Sequence, residues 1–169
     1  MKTSVIVTTL CLLVGISHLA AGAPLQNQDP VESIRQRYAN INSKVATYRK
    51  VKKDLSGFSA EGGELVAYFH GPSIMKMVAT FYGEMGRAVE EYYYWNGKLI
   101  FVFRQESRYD KPLSGKVVSK KESRFYFAED KLVRWIDENG KQSEPTESAE
   151  SQFLKSSKEF SAAAQSKGK

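Results

Sequence analysis

The chain has 169 residues, of which 41% are hydrophobic and 12% aromatic, and its formal net charge at pH 7 is +6. This composition argues against a disordered chain, and the length fits one domain with its own core. The single cysteine, Cys11, lies in a segment that we expect to be removed as a leader. The rest of the chain then has no thiol, which excludes disulfides, cysteine-ligated zinc, iron–sulfur centres and thiol nucleophiles.

Residues 1–23 show the three parts of a secretory signal peptide. Lys2 supplies the positive charge, residues 5–16 form a largely apolar run, and residues 20–23 are a small-residue cleavage zone. The run is too short to span a bilayer, which takes about 20 residues. We therefore expect export to the periplasm or the extracellular space, and no transmembrane segment.

Residues 24–57 are predicted to hold one long amphipathic helix. Asp29 before Pro30 is typical of a helix start. The basic residues from Arg49 to Lys53 would lie in its last turn, where cations oppose the helix dipole, so a nucleic-acid site is not indicated. Apolar residues recur at spacings of mostly three and four at Val31, Ile34, Tyr38, Ile41, Val45, Tyr48 and Leu55.

Residues 58–142 are predicted to form a twisted antiparallel meander of about six strands. Apolar and aromatic segments alternate there with turn-forming groups that are too short to hold a helix. The strands are expected over residues 64–69, 74–82, 87–95, 98–109, 117–128 and 131–136.

Asn96-Gly97 is the strongest hairpin signal in this region, because a type I′ turn needs positive φ at both central residues. The register predicted from it pairs Tyr94 with Leu99 and Tyr93 with Ile100. A weak repeat at an offset of 33 residues predicts a second, similar hairpin that pairs Phe127 with Leu132 and Tyr126 with Val133.

This register divides the apolar residues between two sheet faces. We expect the N-terminal helix to cover the face with Met75, Met77, Phe81, Leu99, Phe101 and Phe103. Antiparallel sheets usually present a polar face to water, so an aromatic second face suggests a contact surface for a partner. The candidate surface consists of Tyr93, Trp95, Ile100, Val102 and Tyr126. In the alternative interpretation the C-terminal helix or curling of the sheet covers this face from within.

Residues 143–169 are predicted to form a small C-terminal helix that ends near Ala164, followed by a frayed tail. Its apolar stripe would be Ala149, Phe153, Leu154 and Phe160. The expected fold class is thus α+β, with residues 24–169 forming one domain.

Few residues suggest catalysis. His70 lies in a Gly-Pro turn, and nothing nearby would orient it toward Ser73. We predict no catalytic residue, no cofactor and no metal site, although an oxygen-only calcium site stays open. Glu90 is unusual because strand parity places it on the face of Phe101 and Phe103, and we expect it to belong to a structural ion pair.

Four segments of the chain resemble a group of uncharacterised secreted bacterial proteins. They are SIRQRYANINSKVATYRKVKKDLSG, EGGELVAYF, MVATFYGEMGRAVEEYYYWNGKLIFVF and RFYFAEDKLVRW, and the resemblance covers residues 31–140. It implies a bacterial envelope setting and a layout of one helix plus a meander. It implies no activity.

We expect a non-enzymatic binding or interaction protein whose partner is a protein or another envelope component rather than a nucleic acid. The alternative is a carrier for a lipid or other apolar ligand, with Met75, Met77 and Met85 lining its cavity. A third hypothesis is a hydrolase that uses only carboxylates, Glu90 among them.

Overall fold

The computed structural model describes residues 29–55 and 57–166, and the predicted leader lies outside them. The described residues form an eight-stranded antiparallel sheet with a helix on each face, which confirms the α+β class. Strand order follows chain order. The elements are α1 (Pro30–Ser43), β1 (Arg49–Asp54), β2 (Gly63–His70), β3 (Ser73–Gly83), β4 (Gly86–Trp95), β5 (Lys98–Tyr109), β6 (Val117–Ala128), β7 (Lys131–Ile136), β8 (Gln142–Ser143) and α2 (Glu147–Gln165).

The prediction of a long N-terminal helix is wrong in its second half. Asp29 caps α1 as expected, since its carboxylate accepts a hydrogen bond from the Val31 N–H at 3.0 Å. The helix then ends at Ser43, and a short 3-10 turn at Val45–Thr47 leads into β1. The six residues of β1 pair with β2, so the sheet satisfies backbone groups that a helix would otherwise have paired. The basic cluster of residues 49–53 therefore lies on an edge strand, where cations discourage pairing with other chains.

All six predicted strands are present, as β2 to β7, with ends within a residue or so of the expected positions. The number of strands was underestimated, because β1 was predicted as helix and the two-residue β8 carries no periodic pattern. The C-terminal helix is not small either: α2 has 19 residues against 14 in α1. The side chain of Thr146 caps α2 by accepting a hydrogen bond from the Ala149 N–H.

Three hairpin turns lie at one end of the sheet, and each is followed by a β-bulge. In each of these hairpins the two residue pairs next to the turn are regular. The next residue of the strand that follows the turn has no partner opposite it. These three residues are Met75, Ile100 and Val133. We call this end the bulged end and the opposite one the loop end. Bulges bend a strand and increase its twist, so each of these three hairpins bends close to its turn.

The bulges correct part of the predicted register. Tyr94 pairs with Leu99 as predicted, but Tyr93 pairs with Phe101 rather than with Ile100. In the second hairpin the pairing of Tyr126 with Val133 is wrong for the same reason, and its partner is Arg134. The repeat at 33 residues thus extends from the turn to the bulge, because Ile100 and Val133 hold equivalent positions.

The bulge also changes which helix covers which residue. Val102 packs in the core beneath α2, and Phe101 packs with α1 on the opposite face. The predicted cover of one face by the N-terminal helix is therefore wrong for Met77, Phe81 and Leu99, which pack on the side of α2. The predicted apolar stripe of the C-terminal helix is confirmed, with Phe153, Phe160 and Ala164 buried and Ala149 and Leu154 partly buried.

The two repeated turns allow a paired test of backbone conformation. Asn96 and Gly97 have φ of 49° and 76°, and Glu129 and Asp130 have φ of 48° and 62°. An aspartate is less favourable than a glycine in this left-handed region. We expect Asp130→Gly to raise the free energy of unfolding in urea by about 0.5–1 kcal/mol.

The reciprocal substitution is the control for this prediction. A Cβ at Gly97 would meet no atom within 4 Å, so Gly97→Asp adds only backbone strain. It should lower the free energy of unfolding by roughly 1 kcal/mol. Equal effects of the two substitutions would contradict the assignment of left-handed turns at these positions.

Candidate binding site beside the first helix

The five residues predicted as an open contact surface do not form one. Tyr93, Ile100 and Tyr126 are buried beneath α1, and Val102 is buried on the other face beneath α2. Trp95 is half-buried, with the Arg37 guanidinium of α1 5.4 Å from its ring centre. The prediction of a free surface is wrong because α1 covers this face from within.

A row of seven paired residues crosses the sheet beneath α1, one from each of the strands β1 to β7. From one edge to the other it contains Lys50, Tyr68, Lys76, Tyr93, Phe101, Tyr126 and Arg134. Tyr38 of α1 packs on this row, with its ring centroid 4.8 Å from that of Tyr93 and 5.3 Å from that of Phe101. These two contacts hold α1 against the aromatic part of the row.

A polar cluster joins the end of α1 to this row. The Lys76 ammonium lies 2.8 Å from the Glu91 carboxylate and donates to the Asn42 side-chain oxygen at 3.3 Å. The Tyr93 hydroxyl donates to Glu91, and it lies 3.2 Å from the same oxygen of Asn42. Burial raises the pKa of the Tyr93 phenol, and the neighbouring Glu91 carboxylate raises it further. The charge of Glu91 is therefore compensated within the protein.

An open groove of about 330 Å³ runs between α1 and the neighbouring strands. Phe101, Phe103 and Tyr126 line it from the sheet, and Arg35 of α1 and Arg124 of β6 flank it. We call it the α1 groove. Its volume is at the lower end of the range for small-molecule sites.

Both arginines of the α1 groove are partly exposed. The Arg124 guanidinium lies 5.5 Å from the centre of the Phe103 ring and donates to Glu122 at 2.9 Å. Arg35 lies 3.9 Å from Glu32 in a solvent-exposed pair. A guanidinium has five N–H donors, more than one such pair uses, so these side chains retain donors for an anion.

Glu90 lies on the opposite face, beneath α2. Its side chain is 9% exposed, accepts a hydrogen bond of 2.5 Å from the Tyr92 hydroxyl and lies 3.8 Å from Arg104 Nε. Burial raises the pKa of Glu90, and the contacts with Tyr92 and Arg104 oppose that rise. The predicted ion pair is thus present, but the predicted face is wrong, because Phe103 packs on the side of α1.

The other candidates from the sequence are scattered. His70 is exposed in its turn. Met77 is buried beneath α2, Met75 packs on the side of α1, and Met85 is exposed at the loop end, so these methionines do not line a common cavity. Residues 29–55 and 57–166 contain no group of three or more histidine or acidic side chains that could hold a metal ion. No helix in the described part of the chain is long and apolar enough to cross a membrane.

Sequence reasoning missed Arg35, Phe103 and Arg124 as site residues. Phe103 of β5 is paired with Arg124 of β6. The loop between these two strands is too long to predict which of their residues pair. Arg35 lies beside the apolar stripe of α1, where an arginine is ordinarily a solvated residue.

Comparison with protein-family models, with curated proteins and with solved structures gives no match. The similarity to secreted bacterial proteins and the predicted export therefore stay predictions.

Glu90 and Glu150 should have opposite effects on the pH dependence of stability. Glu150 in α2 accepts a hydrogen bond from the Leu132 N–H at 2.8 Å, and this contact lowers its pKa. Stability from Glu150 is present above its ordinary pKa and lost as the pH falls, so Glu150→Gln should destabilise at about pH 7 and less so at about pH 3.

The pKa of Glu90 is raised, so its contribution to stability changes with pH in the opposite direction. Its contribution is present below the ordinary pKa and lost as the pH rises through the folded-state pKa. The stability of Glu90→Gln relative to the wild type should therefore increase from about pH 3 to about pH 7. Urea titrations across this range measure both differences. A parallel pH trend for the two variants would refute the assignment.

Proposed function

We propose that this protein binds, without catalysis, a small organic anion with an apolar body in the α1 groove. An aryl or short-chain alkyl carboxylate or phosphate ester fits this description. The observation that carries the proposal is an aromatic floor flanked by two arginine side chains from different elements. The envelope setting of this binding protein rests on the predicted leader.

The chemistry of the groove favours an anion over a neutral or cationic ligand. Guanidinium groups bind carboxylates and phosphates with two parallel hydrogen bonds. The acidic residue of the groove, Glu91, is engaged by Lys76 and Tyr93 and so repels an incoming anion little. Burying the apolar part of the ligand against Phe101 and Phe103 adds the hydrophobic contribution.

The volume of the groove limits the size of the ligand. A space of about 330 Å³ suits one ring or a short chain, and a whole phospholipid would extend far beyond it. The proposal thus keeps the apolar-ligand alternative in a narrower form. A lipid carrier would need a large cavity. The three methionines that were predicted to line such a cavity lie apart from one another, so they do not support it.

Titration with three ligands of equal chain length tests the charge preference. We expect octanoate to bind in the α1 groove more tightly than octanol and octylammonium, because only octanoate can pair with the two arginines. Amide shifts of the ¹⁵N-labelled protein locate the site, and calorimetry gives the affinity. Equal affinity for octanoate and octanol would contradict the role of the arginines.

Substitutions separate the two parts of the site. Arg124→Gln should weaken octanoate binding about tenfold, the typical cost of one charge-assisted hydrogen bond. Arg87→Gln is the matched control, because this exposed arginine of β4 lies outside the groove. Phe103→Ala should weaken octanoate and octanol alike, whereas Trp95→Ala should change neither. A loss of binding in Arg87→Gln equal to that in Arg124→Gln would overturn the assignment.

A further inference from the structure

Exposed large apolar side chains are concentrated at the loop end of the sheet. Among the described residues that end contains Phe58, Tyr82, Met85, Leu113 and Val118, and only Tyr38 and Val133 are exposed elsewhere. A folded chain usually scatters such residues singly over its surface. Their accumulation at one end marks a surface with a partner.

Two loops at this end join into one projecting unit, which we call the two-loop tip and define as residues 82–87 and 108–121. The Leu113 N–H donates to the Glu84 carbonyl at 2.8 Å, and the Tyr109 N–H donates to the Met85 carbonyl at 2.8 Å. The β3–β4 turn and the β5–β6 loop are therefore tied together. The apolar side chains of the tip extend from a fixed base.

Leu113 is the most unusual residue of the two-loop tip. Its backbone has φ of +54°, a left-handed conformation that is costly for a leucine, and its side chain is 71% exposed. Packing within the chain does not account for an apolar side chain held outward at such a cost. Strain of this kind at an exposed apolar residue points to an external contact.

The charge around these side chains identifies the kind of partner. Residues 82–87 and 108–121 carry six basic and two acidic side chains. Lys116 pairs with Asp110 and Lys121 with Glu138, whereas the other four basic side chains form no ion pair with any described residue. Those four are Arg87, Arg108, Lys111 and Lys120. Single apolar side chains surrounded by cations are typical of segments that lie on anionic lipid surfaces.

We propose that the two-loop tip docks on the surface of a bilayer that contains anionic phospholipid. Leu113 and Met85 enter the headgroup region, and the surrounding cations contact lipid phosphates. The two-loop tip shares no residue with the α1 groove, so this inference goes beyond the proposed function and stands independently of it.

Flotation with two kinds of vesicle tests this proposal. We expect the wild-type protein to bind phosphatidylcholine vesicles that contain about one third phosphatidylglycerol, and to bind pure phosphatidylcholine at least about tenfold more weakly. Equal binding to both vesicles would overturn the role of the cations. Binding to neither, together with a concentration-dependent dimer that Leu113→Asn abolishes, would show that the tip is a protein interface instead.

The variant Leu113→Asn tests the tip without endangering the fold. Asparagine tolerates positive φ, so this substitution should maintain or raise the midpoint of thermal unfolding while weakening vesicle binding about fivefold or more. Val133→Asn at the bulged end is the matched control and should bind vesicles like the wild type. Replacing Lys111 and Lys120 together by glutamine should weaken binding by more than about tenfold, and Lys155 with Lys158 on α2 is the control pair. Unchanged binding by Leu113→Asn would refute docking through this tip.

Discussion

Three consecutive tyrosines of the central strand, Tyr92, Tyr93 and Tyr94, hold both helices in place. All three rings are buried, so each hydroxyl must find a partner inside the protein. Strand alternation sends Tyr92 and Tyr94 toward α2 and Tyr93 toward α1. The Tyr94 hydroxyl meets Ser157 of α2 at 2.8 Å, and Tyr93 meets Asn42 of α1. A shift of α2 along the sheet would leave the buried Tyr94 hydroxyl without Ser157, and a shift of α1 would break the contact between Tyr93 and Asn42.

The α1 groove follows from the length of the helix that these contacts position. With 14 residues, α1 covers the row of aromatic side chains near the bulged end and leaves the next row of the sheet partly uncovered. That next row includes Glu91, Phe103 and Arg124. If the helix had continued to Leu55, as the apolar spacing predicted, residues 49–54 could not have formed β1 beside β2. Because α1 ends early, the sheet gains one edge strand, and the aromatic side chains that line the α1 groove stay accessible.

Features set by neighbouring residues could be predicted from the sequence, and those set by distant contacts could not. The Asn96-Gly97 turn and the repeat at 33 residues lead to the correct hairpins, because a left-handed turn needs particular residue types. The end of α1 depends on pairing between β1 and β2, which local periodicity does not report. The bulge at Ile100 shifts the side chains that follow it to the opposite faces, so Val102 of the predicted surface packs beneath α2 while the other four residues pack on the side of α1. Glu90 could be singled out because the alternation of its strand places a charged residue among buried ones. An exposed arginine such as Arg124 is ordinary on a surface, so the sequence does not single it out.

The sequential order of the strands also determines when this core can close. Each strand pairs with the one made just before it, so the sheet can grow while the chain is being synthesised. The helix α2 is made after all eight strands. Its Phe160 and Ala164 nevertheless pack in one core with Leu55, which follows β1, and with Leu65 of β2. One face of the sheet therefore stays exposed until α2 emerges. The chain therefore completes its core, and becomes resistant to proteases, only after its last helix has docked.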